Sequence, residues 1–239
     1  MKRWKKRLFI KLPLVLIALS VLWVVTLKYI PVYYTPLMFK RAYQFRKDDN
    51  FRRRHTWVPI EEISSNMMKA AIASEDNRFE THNGFDTTEI RKMLQEHHKS
   101  GKEIRGCSTI SQQTAKNVFT FCADNWWRKV FEAYYTVLIE KIWGKERIME
   151  VYLNVIEMGK GIYGTEAAAQ YYFGVPASKL NLAQASRITA CFPHPLTRRP
   201  DDYTGYLSRR GAQIVSLTYK IAYPDWVMHK HSDNDKARR

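Results

Sequence analysis

The chain has 239 residues, a length that favours one substantial domain with an appendage over several domains. Its 39 Lys and Arg against 23 Asp and Glu give a formal net charge of +16. This argues against a cationic partner and favours nucleic acid, a phosphorylated substrate or anionic lipid headgroups. Cys107, Cys122 and Cys191 leave one thiol over in any disulfide scheme. A helix between Cys107 and Cys122 would hold them roughly 15–20 Å apart, so we expect free thiols.

The N-terminal segment predicts a membrane anchor. Residues 1–11 are basic and carry no acid, and residues 12–27 contain no charge. With their flanks they supply about 20 apolar residues, enough for a transmembrane helix over 12–30. A cleavable signal peptide is the alternative, but its apolar region is shorter and no small-x-small cleavage site follows. The basic cluster predicts a single pass through the cytoplasmic (inner) membrane, with 1–11 in the cytoplasm and the domain periplasmic or extracytoplasmic.

The next thirty residues are interpreted as a membrane-proximal linker. Residues 31–60 mix Pro31, Pro36 and Pro59 with aromatic side chains and a basic run at 52–55. A weaker alternative is that the basic run docks onto anionic headgroups. The main domain is then predicted over 61–225, followed by a polar, basic tail over 226–239.

A dense polar stretch, residues 74–86, follows a predicted helix over 66–73 with Ser64 and Ser65 as N-cap candidates. Gly84 is expected to make a turn. Glu75 and Asp76 would therefore lie at a helix C-terminus, where the macrodipole disfavours negative charge and favours proton uptake. That environment suits a general acid or base. A solvated acidic helix end is the alternative, and this stretch alone does not decide.

Residues 105–117 predict a capped helix. Thr109 and Gln112 have the spacing of a capping box, and Gln113 and Lys116 lie close together one turn further on. A helix start rich in Gly, Ser and Thr with a Lys nearby favours an anion site. An ordinary amphipathic helix explains the same pattern. The spacing is not that of a phosphate-binding P-loop.

Residues 128–143 have helical periodicity, with a predicted apolar stripe of Phe131, Tyr135, Leu138 and Ile142. Arg128 and Glu132 are spaced for an ion pair. The pair is either an ordinary surface contact or a set of cations that face phosphates with Glu132 orienting them. The aromatic residues at 119–121 and 126–127 suit either a core or a membrane interface.

The remainder predicts more helices and few strands. Helical patterns cover 146–153, 165–173 with Gly174 as the C-cap, 182–191 and 208–223, while period-2 alternation is scarce. The fold class is therefore mainly α.

Taken in order, these stretches resemble the peptidoglycan glycosyltransferase family in its monofunctional, membrane-anchored form. The matching motifs are Glu-Asp-x-x-Phe-x-x-His-x-Gly-Phe-Asp at 75–86, Gly-x-Ser-Thr-Ile-x-Gln-Gln-x-x-Lys-Asn at 106–117, Arg-Lys-x-x-Glu at 128–132, Lys-x-x-Ile-x-Glu-x-Tyr-Leu-Asn at 145–154, and Gly-Ile-Tyr-Gly-x-x-Ala-Ala at 161–168. Together they are far more specific than any one alone. Cys107 and Ser111 depart mildly from the residues usual in the family.

The resemblance implies a lysozyme-like α domain that polymerises lipid II into glycan strands. It implies that Glu75 is the base for an inverting transfer and that undecaprenyl pyrophosphate leaves. Glu132 is implied as the second catalytic residue, ordering the cations that meet the pyrophosphate. The implied substrate-binding residues are Asp76, Phe79, His82, Ser108, Thr109, Gln112, Gln113, Lys116, Asn117, Arg128 and Lys129.

The resemblance also implies partners. These are lipid II, the growing glycan chain, membrane lipids and cell-wall synthesis or division proteins, with no nucleic acid. Side chains alone, or a divalent Mg or Mn ion with them, would neutralise the pyrophosphate, and the sequence leaves the metal open. Two rivals remain: glycan cleavage on the same fold, which needs no cluster of cations, and a catalytically dead scaffold, against which intact Glu75 and Glu132 argue.

Overall fold

The computed structural model describes residues 3–101, 106–121, 126–202 and 204–228, with side chains from residue 11 onward. The helices are α1 (Arg3–Tyr29), α2 (Pro36–Gln44), α3 (Ser65–Glu75), α4 (Thr87–Ser100), α5 (Ile110–Phe119), α6 (Trp126–Ile142), α7 (Lys145–Val155), α8 (Thr165–Phe173), α9 (Leu182–Ala190), α10 (Gly205–Thr218) and α11 (Asp225–Met228). The strands are β1 (Arg54–His55), β2 (Glu157–Gly159) and β3 (Ile162–Tyr163). Short 3-10 turns lie at Ile60–Glu62 and Ala177–Lys179.

Helix α1 is long and apolar enough over Lys11–Tyr29 to cross a membrane, and 11% of that window is buried inside the protein. Its last turns are nevertheless attached to the domain. The indole Nε1 of Trp143 donates to the carbonyl of Val24 at 2.7 Å. The Arg147 guanidinium donates to the carbonyls of Leu27 and Ile30 at 2.7 and 2.5 Å. Leu27 lies in the last turn of α1, where a carbonyl has no partner within the helix.

The interpretation of residues 31–60 as a linker outside the core differs from the structure. Val32, Met38, Val58 and Ile60 are buried in the core. Strand β1 pairs in parallel with β3, which also pairs antiparallel with β2, in the order β1-β3-β2. Proline and arginine-rich composition concealed these contacts because their partners lie about a hundred residues away in sequence.

The core is built around two buried helices. Helix α3 is buried along most of its length and packs against α9 and α10. Helix α7 is equally buried, and α5 packs between it and α6. Glu75, the last residue of α3, is joined to α5 by a hydrogen bond from Gln113.

Local helix signals in the sequence were confirmed. Ser64 caps α3, and Thr109 and Gln112 form the expected capping box at α5. Gly174 ends α8 in the left-handed conformation, with φ of 63°. These features depend on neighbouring residues, which is why the sequence predicts them well.

Two helical predictions need correction. In α6, Tyr135, Leu138 and Ile142 of the predicted stripe pack partly buried against the core, but Phe131 is exposed. The fully buried side chains of this helix are Glu132, Thr136 and Ile139. The predicted helix over 208–223 ends at Thr218, and a separate α11 follows with Val227 fully buried. Residues 226–228 therefore belong to the domain, and the rest of the predicted tail, 229–239, lies outside the described residues.

Candidate active site

Glu75 is held by hydrogen bonds to both carboxylate oxygens. The Ser74 hydroxyl donates to Oε1 at 3.0 Å, and the Gln113 amide Nε2 donates to Oε2 at 3.1 Å. The side chain is half-buried at the end of α3. Two donors fix the direction of the carboxylate, which is what a proton-accepting group needs.

The amide of Gln113 is itself oriented by Tyr152. The Tyr152 hydroxyl donates to Gln113 Oε1 at 3.3 Å, so the amide nitrogen faces Glu75. Burial raises the pKa of Tyr152 well above its ordinary value, and the charges of Glu75 and Asp76 add to the effect. The phenol therefore stays protonated and remains a donor.

An acidic cavity of about 400 Å³ lies on one side of Glu75. Five acidic side chains and one basic side chain, Lys92, lie in its wall, together with Cys107 and Ser108 just before α5. The acidic residues are Glu75, Asp76, Asp86, Glu89 and Glu96. A cavity of this size and polarity suits a hydroxyl-rich neutral ligand that donates hydrogen bonds.

A basic cavity of about 290 Å³ has Gln113, the hydrogen-bond partner of Glu75, in its wall. Lys116 and Arg128 face it together with Asn117. Lys116 is exposed, whereas the Arg128 side chain is 23% exposed to solvent. The hydrogen bond from Gln113 to Glu75 thus connects the wall of the basic cavity to the acidic one.

Glu132 is buried behind these cations. It accepts from Arg128 Nη1 at 3.2 Å and forms a short ion pair with Lys129. The structure therefore brings Arg128, Lys129 and Glu132 together as the sequence predicted. Only Arg128 of the three lies in the described wall of the basic cavity.

Asp76 and His82 form a buried pair beneath Glu75. Gly84 N–H donates to His82 Nδ1 at 3.1 Å, so the proton lies on Nε2, which donates to both Asp76 oxygens at 2.9 and 3.0 Å. Asp76 Oδ2 also accepts from the backbone N–H of Ile110 at 3.0 Å. The pair joins the end of α3 to the start of α5.

Several predicted substrate-binding residues point inward. Phe79 is 1% exposed, and Lys145 lies over its ring at 4.6 Å. Thr109 donates to the Gly84 carbonyl at 2.7 Å and forms the α5 cap with Gln112. These contacts are to the protein itself, so the part of these residues in substrate binding stays a prediction.

Sequence reasoning missed residues that reach the site from distant segments. Lys40 and Arg41 of α2 and Glu157 of β2 lie in the wall of the basic cavity. Arg210 of α10 donates to the Ser74 hydroxyl at 3.1 Å. No local motif marks them, because each acts across at least 70 residues of sequence.

The basic cavity does not fit a metal ion held by protein ligands. Glu157 is the carboxylate in its described wall, and the charged side chains around it are cationic. Among the described residues no group of three His, Cys, Asp or Glu is arranged to hold a metal. Hard divalent cations need several oxygen ligands.

The cysteines are free where the structure describes them. Cys107 is partly buried and Cys191 is buried, and neither forms a disulfide. Cys122 lies outside the described residues.

These features agree with comparisons to known proteins. A family model described as Transglycosylase matches residues 42–218. The chain belongs to this family, whose domain is lysozyme-like. The family resemblance and the mainly α, lysozyme-like fold expected from the sequence are therefore confirmed.

Relatives named biosynthetic peptidoglycan transglycosylase extend the match over most of the chain. The protein of Bacteroides thetaiotaomicron is 49% identical over 223 residues, covering 93% of this chain and 90% of its own length. That of Caulobacter vibrioides is 46% identical over 217 residues, covering 91% and 92%. That of Bdellovibrio bacteriovorus is 45% identical over 217 residues, covering 90% and 86%.

The function is accordingly that of a peptidoglycan transglycosylase in cell-wall biosynthesis, and the enzyme class is glycosyltransferase. The apolar α1 and the cell-wall role together indicate attachment to a membrane.

Proposed function

We propose that this enzyme polymerises lipid II into glycan strands, with inversion at the anomeric carbon and release of undecaprenyl pyrophosphate. The supporting observation is that Glu75 lines the acidic cavity and accepts a hydrogen bond from Gln113, which lines the basic cavity. The acceptor sugar occupies the acidic cavity, and the pyrophosphate of the donor occupies the basic cavity. The catalytic domain faces the periplasm or another extracytoplasmic space, since the basic residues 1–11 precede α1.

Glu75 acts as the general base in this proposal. It removes the proton from the acceptor hydroxyl as that oxygen attacks the anomeric carbon. Ser74 and Gln113 hold the carboxylate with a free lone pair toward the acidic cavity. An inverting transfer needs one such base and no covalent nucleophile.

The leaving group is stabilised by cations. Lys116 and Arg128 meet the negative charge that develops on the pyrophosphate. Arg128 and Lys129 both pair with the buried Glu132, which holds the two cations in place. Preorganised charge of this kind contributes most to catalysis where charge develops in the transition state. The cations also argue against the rival reaction, glycan cleavage, whose leaving group is a sugar and needs only an acid.

The test is conversion of purified lipid II to glycan polymer by the wild type and by Glu75→Gln. We expect polymer from the wild type and a loss of about 10²–10⁴-fold in rate from the variant. An unchanged circular dichroism spectrum and melting temperature would show that the variant is folded. If the wild type and Glu75→Gln formed polymer at equal rates, the base would have to be another residue. If the folded wild type were inactive in every detergent tested and with every divalent metal ion added, a scaffold role would be favoured.

A further inference from the structure

The basic cavity has a second wall that does not come from the family motifs. Lys40 and Arg41 lie on α2, the first helix after the membrane anchor, and Glu157 lies on β2. They face the same cavity as Lys116 and Arg128. A segment next to the membrane thus contributes charge to the site proposed for the leaving group.

Arg41 and Glu157 form a tight, shielded ion pair. Arg41 Nε lies 3.2 and 3.0 Å from the two carboxylate oxygens of Glu157. The Glu157 side chain is 4% exposed and that of Arg41 is 19% exposed. Tyr163 also donates to Glu157 Oε1 at 3.5 Å, and Gln44 accepts from Arg41 Nη1 at 2.7 Å.

The carboxylate of Glu157 is in an unusual place. A negative charge in the wall of a cavity whose other charged side chains are cations weakens the attraction for an anion. Burial raises the pKa of Glu157, and the neighbouring Arg41 opposes that change. Arg41 therefore favours the ionised carboxylate, and each member of the pair alters the field that the other produces in the cavity.

A polymerising enzyme needs this field to be balanced. In the proposed reaction, each cycle would leave a pyrophosphate in the cavity that Lys40, Arg41, Lys116 and Arg128 line. Attraction that is equally strong before and after bond formation does not accelerate the chemical step, and it delays release of the product.

We propose that the Arg41–Glu157 pair sets the affinity of the basic cavity for pyrophosphate. Arg41 strengthens binding of the leaving group, and Glu157 holds Arg41 in place while weakening that binding enough for the product to depart. This inference rests on the proposed function, because it takes the cavity to be the leaving-group site. Arg41 and Glu157 are positioning and affinity-setting residues and carry no proton in the reaction.

The experiment is calorimetric titration of inorganic pyrophosphate into the full-length protein in detergent, at one fixed ionic strength. We expect Glu157→Gln to bind pyrophosphate at least threefold more tightly than the wild type. We expect Arg41→Gln to bind at least threefold more weakly, because it removes a cation and exposes the cavity to an unpaired carboxylate. The double variant should return close to the wild type. Circular dichroism of each variant reports folding.

Matched controls separate charge from packing. Arg46→Gln makes the same substitution just beyond α2, where Arg46 stacks on Tyr43 outside the described wall of the cavity, and should leave binding unchanged. A purely structural ion pair would make Arg41→Gln and Glu157→Gln change the affinity in the same direction. That result, or no change in either variant, would overturn the inference.

A further variant separates the inference from the proposed function. Lys116→Ala should weaken pyrophosphate binding whatever the role of the ion pair. If it does so while the two ion-pair variants fail to diverge, the leaving-group site stands and the inference is wrong. If Lys116→Ala leaves binding unchanged, the cavity is not the leaving-group site, and the inference is overturned with it.

Discussion

Gln113 donates its amide proton to Glu75 at 3.1 Å, across the boundary between an acidic cavity and a basic one. One side chain thus contacts the proposed base and lines the proposed leaving-group site. Tyr152 fixes the direction of that amide from the core. This hydrogen bond therefore fixes the position of the proposed base relative to the proposed leaving-group site.

Gln113→Ala should lower the turnover rate without unfolding the protein. It removes a donor from one Glu75 oxygen and leaves the carboxylate held by Ser74 alone, so the base is misplaced. We expect a loss of about 10- to 100-fold in kcat, the size associated with small errors in position. Asn117→Ala, at the edge of the basic cavity on the same helix, is the matched comparison and should chiefly raise KM. Equal kcat values for Gln113→Ala and the wild type would contradict the positioning role.

Arg210→Ala should have a smaller effect of the same kind. Arg210 donates to the Ser74 hydroxyl, which then directs its own proton to Glu75. Without Arg210 the hydroxyl rotates more freely, and we expect kcat to fall several-fold, up to about tenfold. The neighbouring Arg209 is exposed, so Arg209→Ala is a control with the same loss of charge. Identical kinetics for the two variants would assign Arg210 only a general electrostatic effect.

Gly84→Ala should be far more destabilising than Gly101→Ala. Both glycines have positive φ, 90° and 63°, so either substitution strains the backbone by about 1–2 kcal/mol. A Cβ at Gly84 would lie 2.7 Å from Thr136 Cγ2 and 3.0 Å from Glu140 Cγ, whereas a Cβ at Gly101 has open space. Overpacking adds a further 1–3 kcal/mol or so at Gly84. Urea unfolding followed by tryptophan fluorescence measures both, and equal losses would contradict the packing argument.

Cys107 should react slowly with iodoacetamide at neutral pH. Burial raises the pKa of its thiol, and the charges of Glu89 and Asp86 raise it further. A raised pKa leaves less thiolate at pH 7, so the alkylation rate should increase as the pH passes 9. Burial raises the pKa of Cys191 to about 12, and this thiol should stay unmodified in the folded protein.

Because Cys107 lies in the wall of the acidic cavity beside Glu75, its alkylation should block polymerisation. Peptide mapping by mass spectrometry assigns the modified cysteine. Cys107→Ser should keep its activity after the same treatment. Inactivation of that variant at the wild-type rate would show that another residue is responsible.

The sequence predicts this fold best where a signal is local. Caps at Ser64, Thr109 and Gly174 depend on neighbouring backbone and side-chain atoms, and the structure has all of them. The apolar stripe of α6 predicted Tyr135, Leu138 and Ile142 at the core but missed the most buried positions, because two of them are the polar residues Glu132 and Thr136. Their polar atoms are satisfied by Arg128 and Lys129 and by the Glu132 carbonyl. A polar residue with its partners supplied packs as well as an apolar one.

The residues of the candidate site likewise fall into those that local motifs predict and those that only the structure reveals. The motifs identified Glu75, Gln113, Lys116 and Arg128, which the structure brings to two adjoining cavities. They gave no sign of Arg41 and Glu157, which are 116 residues apart, or of Arg210 and Ser74, which are 136 apart. Such pairs arise only when distant helices pack, and neither composition nor periodicity records which helices meet.

The bonds from Trp143 and Arg147 to the end of α1 have one more consequence. They attach α1, which is apolar enough to cross a membrane, to the domain that carries the site, so insertion of α1 would hold the two cavities at a fixed distance from the bilayer. An encounter with any substrate borne by the same bilayer then becomes a search in two dimensions. Lateral diffusion within the bilayer would then bring the enzyme and such a substrate together.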